Sequence, residues 1–398
     1  MAGFIRLREP PPPAVRPPTF ALWQLGFRPF FLLASAFAAL SVALWALQFA
    51  GWLGRPYLAG PLWHAHEMLF GFTLAVVVGF LLTAGRNWTN RPTPTGWRLA
   101  ALAALWVAAR VLVLTPFGWA AAIANTAFPL AAAAALAGPF IASRNRRNYF
   151  FLGLLVLIAA AALTVHLAQL QVISLPAGFG ITIGLDAVLF IIAVMAGRVV
   201  PMFTNGGVPG AQASHRAWLE QAALGALLVL LLADALRLGG APLAALLAVA
   251  ALAHLARWLL WRPWTTLHTP LVWVLHAATL WIPVHLVLRS ASALGIVAAS
   301  VAVHALTVGA AGGLVIGMMT RIAKGHTGRA LRADRADVVC YGLVLGAGVV
   351  RVAVPLIAPT LLLPAVLGSA ALWSAGFGLY AVRYWTVLTG ARADAKPG

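Results

Sequence analysis

Ten histidines stand in a chain of 398 residues of which 62% are hydrophobic and only 9% are charged. Neutral imidazole is the commonest metal ligand in proteins and binds iron and copper well. An imidazole within an apolar segment is also costly, so its presence there is by default a functional hypothesis. A single buried histidine is more often a hydrogen-bonded core residue than a metal ligand. As a group, the histidines predict one or two metal centres.

The most informative local run is Trp-His-Ala-His-Glu-Met at residues 63–68. On a helix, His64 and His66 diverge by about 200°, so they cannot easily bind one ion together. If both are ligands, the helix passes between two sites or its first turn is irregular; otherwise one of them is a partner of a ligand or a proton donor. Glu67 can orient an imidazole by accepting its second N–H, or it can cap the helix start.

A second run begins at His304 and has glycine at every fourth position, at 309, 313 and 317. Such a stripe lets another helix, or a flat macrocycle, approach the backbone. The following Met318 and Met319 can offer thioether sulfur to Cu(I) or act as flexible filler. The basic segment 321–329 is suited to anionic groups such as haem propionates, and membrane topology explains its charge equally well.

Asp186 is a carboxylate within a long apolar stretch. It can carry protons, pair with Arg110 or Arg351, or be protonated and only hydrogen-bonded. Proton transfer is the catalytic role that we assign to it as a hypothesis, together with Glu67.

Composition predicts the elements that must position these side chains. The mean hydropathy is +0.93, and at about 20 apolar residues per crossing the chain accommodates about 12 to 14 crossings. The apolar runs lack the alternation of barrel strands, so the spans should be helices. Soluble, disordered, coiled-coil and disulfide-scaffold classes are excluded. We predict an all-α polytopic membrane bundle of twelve helices, near residues 28–50, 62–84, 97–114, 117–140, 149–171, 177–202, 217–237, 241–261, 268–289, 293–319, 336–357 and 359–386.

The formal net charge of +19 is distributed by side. Cytoplasmic loops of membrane proteins accumulate Lys and Arg, and with the N-terminus inside, 22 of the 27 such residues fall on the inner side. The charge is therefore a topology signal and does not indicate a nucleic-acid partner. It predicts a cytoplasmic arm at 1–27, a transmembrane domain at 28–386 and a cytoplasmic tail at 387–398, in contact with the lipid bilayer.

Depth along each span follows from the helical rise of about 1.5 Å per residue. This places one group of titratable residues in the outer half: His64, His66, His166, Asp186, His285 and His304. His254 and His276 fall near the midplane, and His215, His268 and His326 lie at the cytoplasmic side. The outer group favours metal centres close to the outer face.

Cys340 is the only cysteine, so the chain has no internal disulfide and no motif for covalent haem attachment. Any haem would be held noncovalently. The proline-rich N-terminus does not resemble a signal peptide.

Several segments resemble the NnrS family. They are Gly-Phe-Arg-Pro-Phe-Phe at 26–31, the run that begins at Trp63, Gly-Phe-Leu-Leu-Thr-Ala-Gly-Arg-Asn-Trp-Thr at 79–89, Gly-Arg-Val-Val-Pro at 197–201, the segment 270–276, and the segments 304–309 and 325–329. Spans 11 and 12 match in hydrophobicity alone.

The resemblance implies an inner-membrane protein of denitrifying or nitric-oxide-exposed bacteria that carries haem b and copper. Matching motif positions gives candidate site residues, with His166 and His254 less directly supported: His64, His66, Glu67, His276, His304, His326, His166 and His254. We take His64, His66, His276 and His304 as candidate metal ligands. The roles of His268 and His285 are not implied by the resemblance.

Three functional hypotheses follow, from different classes. The preferred one is a haem and copper protein that binds nitric oxide and reduces it as an oxidoreductase if a quinol or cytochrome donates electrons. The second is a twelve-span secondary transporter without redox cofactor, although few carboxylates lie within the spans. The third is a noncatalytic sensor or assembly factor for another membrane complex.

Overall fold

Twelve helices make up almost all of the protein in a computed structural model, which describes residues 20–52, 57–58 and 60–394. Within those residues the chain forms no strand beyond an isolated bridge between Phe20 and Gly390. The helices are α1 Phe27–Phe49, α2 Gly60–Thr89, α3 Gly96–Leu112, α4 Gly118–Ala142, α5 Phe150–Gln169, α6 Ala177–Gly207, α7 Ala217–Ala235, α8 Gly240–Leu260, α9 Pro270–Ala293, α10 Ala299–His326, α11 Arg335–Ile357 and α12 Leu362–Thr389.

The predicted all-α membrane bundle is confirmed. Eleven of the helices described here are long and apolar enough to cross a membrane. Helix α3 has 17 residues, which is at the short end of the spanning range of about 17 to 25. Residues 1–19 of the predicted arm and 395–398 of the tail lie outside the described residues.

Helix α10 differs most from its predicted bounds of 293–319, because it begins at Ala299 and continues to His326. Its last turns include Arg321 and Lys324, where cations interact favourably with the helix C-terminus. Lys324 Nζ also donates to Asp337 Oδ2 at the start of α11, at 2.5 Å. Most of the segment 321–329 is therefore helix and not a loop.

The first and last helices close the bundle. Helix α12 packs along both α1 and α11, and the Ala21 amide donates to the Thr389 carbonyl at 2.7 Å. An even number of crossings and this contact place both described ends of the chain on one side. We call that side of the bundle the inner end and the opposite side the outer end.

Two helices contain a π-helical segment, and each segment directly follows a histidine. In α2 the segment Glu67–Thr73 follows His66, and in α10 the segment Ala305–Gly312 follows His304. Wider turns of this kind are rare in proteins overall, and those that occur are often found at functional sites. Both histidines therefore lie where the helical repeat changes.

The glycine stripe of α10 packs against α9. A Cβ atom at Gly309 would overlap the Trp281 indole, and Cβ atoms at Gly313 and Gly317 would crowd Ala278 and Val274. Helix packing therefore accounts for the stripe, because these side chains of α9 occupy the space that a macrocycle would need.

Candidate functional site

The first histidine pair joins α2 to α5. The Nε2 atoms of His66 and His166 lie 3.2 Å apart, and both residues are fully buried. Glu67 has only acceptor oxygens when ionised, so His66 Nδ1–H donates to Glu67 Oε1, at 2.8 Å. This bond fixes the tautomer and leaves a lone pair on His66 Nε2, which accepts a hydrogen bond from His166 Nε2–H.

A charged residue of α3 holds Glu67 in place. Arg110 Nη1 donates to Glu67 Oε1 at 2.7 Å, and Arg110 Nη2 donates to Asn125 Oδ1 of α4. A Cβ atom at Gly71 would meet Arg110 Nη1, so the absence of a side chain there admits the guanidinium. Sequence reasoning missed this role of Arg110 and Asn125, although a charged residue within an apolar span was the available signal.

Tyr57, in the connection before α2, covers the outer side of this pair. Its ring lies parallel to that of His166, with centroids 6.2 Å apart. Burial raises the pKa of Tyr57, so the phenol stays protonated at neutral pH.

The second histidine pair joins α2 to α10. The rings of His64 and His304 are nearly parallel, with centroids 6.2 Å apart and planes at 12°. His304 Nδ1–H donates to the Ser300 carbonyl at 2.5 Å, which leaves a lone pair on Nε2. The Trp45 indole of α1 lies parallel to the His64 ring at 4.9 Å.

Arg351 of α11 is the charged group associated with this second pair. It lies within electrostatic reach of both imidazoles. Its Nη1 atom is buried and has no hydrogen-bond partner among the residues described. A guanidinium in this state offers a donor to an anionic group.

Helix α2 thus passes between two histidine pairs. His64 and His66 both lie in its regular first segment, Gly60–His66, and they point at different partners, as their spacing requires. Of the alternatives left open by the sequence, the structure excludes an irregular first turn, and a role of both histidines as metal ligands at two sites stays a prediction. Glu67 is a hydrogen-bonded partner of His66 and is not an exposed cap.

Asp186 belongs to a separate cluster in the outer half of α6. Arg289 of α9 donates to Asp186 Oδ1 at 3.0 Å and to Asp234 Oδ2 of α7 at 2.5 Å. Asp186 Oδ2 is buried without a hydrogen-bond partner among the described residues. The expectation that Asp186 pairs with Arg110 or Arg351 was wrong, because Glu67 pairs with Arg110 and because Arg289 reaches Asp186 from α9.

The remaining predicted site histidines lie in the inner half of the bundle. Thr204 donates to the Val200 carbonyl, so His276 Nε2–H donates to Thr204 Oγ1, at 2.8 Å. Arg257 donates to His254 Nδ1 at 3.3 Å, and the His326 ring packs on Phe27 at 5.6 Å. The structure does not bring these three histidines to the outer pairs, and a metal-ligand role for His276 stays a prediction.

In the described part of the chain, no third metal-ligating side chain joins either of the two outer histidine pairs. No group of three or more His, Cys, Asp or Glu side chains there is arranged to hold a metal ion. Met319 is fully buried in the apolar core, with Met318 packed against it, as expected of flexible filler.

A family model described as NnrS protein matches residues 21–392. The match includes α11 and α12, where the resemblance in sequence was one of hydrophobicity alone. No curated protein matches the chain significantly. The resemblance that the motifs predicted is thereby confirmed over nearly the whole chain.

Proposed function

The chain belongs to the NnrS family of membrane proteins of the nitric oxide response, and from that premise we propose that it binds copper and haem b at its two outer histidine pairs and binds nitric oxide there. The observation that carries the proposal is the pair of His66 and His166 with their Nε2 atoms 3.2 Å apart. We further propose the bacterial inner membrane as its location, with the inner end of the bundle in the cytoplasm.

The donor set at His66 and His166 fits a copper ion. The Nε2 atoms of His66 and His166 lie 3.2 Å apart, at hydrogen-bond distance, and a bound copper ion would take the place of that bond. Imidazole suits copper, and the hydrogen bond from His66 to Glu67 supplies the outer partner that ligating histidines usually have. Among the described residues, no third His, Cys, Asp or Glu side chain joins this pair to form a metal site.

We propose that the second pair would hold the iron of haem b. Imidazole binds haem iron, and the rings of His64 and His304 come from two helices and lie nearly parallel, with centroids 6.2 Å apart. The His304 bond to a backbone carbonyl leaves Nε2 free to bind. Arg351, whose Nη1 has no hydrogen-bond partner in the described part of the chain, is the cationic group suited to a haem propionate.

When bound, these metals supply affinity for a diatomic gas and one-electron chemistry. The protein's own contribution is orientation and exclusion of water. Asn125 holds Arg110, Arg110 holds Glu67, and Glu67 fixes the tautomer of His66. Tyr57 covers His166, so the pair is shielded from the outer surface.

If nitric oxide is reduced to nitrous oxide, the reaction consumes protons and electrons. Glu67 is the carboxylate nearest the His66 pair, and we propose that it takes up a proton and passes it on, since the ionised form that accepts from His66 and Arg110 has none to donate. We also propose Asp186 as a proton carrier, since its Oδ2 has no partner among the described residues and two carboxylates share Arg289. A quinol or cytochrome is the proposed electron donor.

The metal proposal is tested on protein purified from membranes, by metal analysis and an absorption spectrum recorded with and without nitric oxide. We expect copper, and a Soret band that shifts with nitric oxide. His66→Ala should lose copper and keep the Soret band, and His64→Ala should do the reverse. His215→Ala, at an exposed histidine, should retain both. Wild-type protein free of both metals, or variants that retain both, would contradict the proposal.

Turnover is tested separately from binding. Nitrous oxide formed by the metal-loaded protein with a chemical reductant would make it an enzyme, and its absence from a protein with a nitric-oxide-sensitive spectrum would favour the sensor or assembly factor.

One observation favours transport as a second candidate function. Helices α6 to α9 carry an outer ion-pair cluster, Asp186–Arg289–Asp234, and an inner one, Glu220–Arg257. An apolar cluster that includes Leu189, Leu227 and Leu247 lies between them. Ion pairs on both sides of an apolar barrier are suited to two gates; metal-free protein with bound solute would favour this reading.

A further inference from the structure

Cationic side chains from five segments converge at the inner end of the bundle. Arg28 lies within electrostatic reach of Arg329 and Arg392, and His326 lies within reach of Arg28, Arg86 and Arg392. Helices α1, α2 and α10, the loop after α10 and the C-terminal segment each contribute a residue. We call these five residues the inner cationic cluster.

Arg28 is the buried member of the cluster. Its side chain is 0% exposed, and Nη1 donates to the carbonyls of Leu388 and Gly390 at 3.0 and 2.8 Å. Its Nε and Nη2 atoms are buried and have no hydrogen-bond partner among the described residues. Buried donors without an acceptor are costly, and charged donors more so.

Asp394 is a carboxylate beside the cluster. It accepts two hydrogen bonds from Arg392, of 2.9 and 2.7 Å, and lies close to Gly328. The positive-inside rule explains cations at this end, but it does not explain a fully buried guanidinium whose Nε and Nη2 atoms have no acceptor among the described residues.

We propose that the inner cationic cluster binds a phosphate group, which at this depth is the headgroup of an acidic phospholipid. Arginine presents paired N–H donors that match phosphate oxygens, and basic groups at the cytoplasmic surface attract anionic lipids. The phosphate would accept from Arg28 Nε and Nη2, with Arg329 and Arg392 at the rim. It would thereby hold the C-terminal segment against the loop after α10, where Arg392 already donates to the His326 carbonyl at 2.9 Å.

The test compares the full-length protein in nanodiscs of phosphatidylcholine with nanodiscs that contain phosphatidylglycerol. We expect a higher melting temperature in the acidic lipid and retention of phosphatidylglycerol in native mass spectra. Arg28→Gln should weaken that retention by about tenfold or more, since it removes a charged hydrogen-bond donor. Arg28→Lys keeps the charge and should restore part of it. Arg335→Gln, at an exposed arginine of the same end, should leave it unchanged.

Further arms separate the possible sources of the anion. Because Arg28→Gln can also disturb folding, Arg392→Gln at the half-buried rim tests the site with less risk, and Asp394→Asn should strengthen retention by removing the competing charge. Stabilisation of delipidated protein by inorganic phosphate, lost in Arg28→Gln, supports the site with a free phosphate as ligand. Unchanged lipid retention in both arginine variants overturns the proposal, as does loss of haem from them without any change in lipid dependence.

Discussion

The outer half of this protein contains two polar regions of opposite character. Around α2, the histidine pairs keep ring nitrogens that have no hydrogen-bond partner among the described residues, such as Nδ1 of His64 and of His166. Between α6, α7 and α9, Arg289 pairs with both Asp186 and Asp234.

The difference separates ligand binding from internal neutralisation. Buried polar groups are normally paired within the protein; the ion cluster is largely neutralised by its own charges, whereas the histidine pairs keep unpaired ring nitrogens, as His254, His276 and His285 also do among the described residues. Glu67 and Arg110 combine both features, because the ion pair they form serves to orient His66. Substitutions in the first region should therefore change metal binding, and those in the second should change stability.

Arg289→Ala should have the largest effect on stability. It leaves two buried carboxylates without their cation, and breaking a buried ion pair costs about 3 to 5 kcal/mol. Thermal or denaturant unfolding in detergent measures the loss, with Arg237→Ala, at an exposed arginine of the same end, as the control. Wild-type stability of Arg289→Ala would mean that the two carboxylates are held neutral without it.

Gly309→Ala should disturb the contact between α10, which carries His304, and α9, which carries Arg289. The new methyl group overlaps the Trp281 indole of α9, and overpacking of this kind costs about 1 to 3 kcal/mol. His304 lies five residues earlier on the same helix, so the second pair should also bind its iron less tightly. Gly342→Ala, where a Cβ meets no atom within 4 Å, should be neutral in the same unfolding and spectral assays.

Glu67→Gln should weaken copper binding by about 10- to 100-fold, as the loss of an outer partner of a ligating histidine commonly does. The variant keeps the shape of the side chain and removes the charge that fixes His66. A copper titration against a chelator measures the change, and the haem spectrum should not move. The same substitution at Glu220, in the ion-pair region, should leave copper affinity unaltered; equal losses would mean that Glu67 acts only through folding.

Asp186→Asn should have the smallest effect, about 1 kcal/mol or less. Arg289 keeps Asp234 as its partner, and the substitution removes one of the two negative charges that share this arginine. The unfolding assay used for Arg289→Ala measures the change in stability. A loss as large as that of Arg289→Ala would show that Asp186, and not Asp234, neutralises the arginine.

The number and type of the helices could be predicted from the sequence because hydrocarbon requires about 20 apolar residues per crossing with every backbone group paired internally. Helix ends were less certain. The continuation of α10 to His326 depends on the bond from Lys324 to Asp337, which lies 13 residues further along the chain. Likewise, the π-helical segments after His66 and His304 have no signal in hydropathy.

Part of the site was also predictable. The divergence of His64 and His66 is fixed by the helical repeat, and the placement of several histidines in the outer half follows from rise per residue. The side-chain contacts between helices were not predictable. Arg110, Arg289 and Arg351 lie at a depth similar to that of Asp186, and only the packing of α9 against α6 brings Arg289 to it.

Composition and helical geometry alone therefore determined a twelve-helix membrane bundle, its depth of polar residues and the opposite directions of His64 and His66. Tertiary structure alone decided that His66 meets His166, that His64 meets His304, and that Arg110 holds Glu67. The reason is physical. The depth of a residue is a property of one helix, whereas a contact depends on how two helices are rotated and which helices are neighbours. The local pattern of apolar residues encodes neither the rotation nor the choice of neighbour.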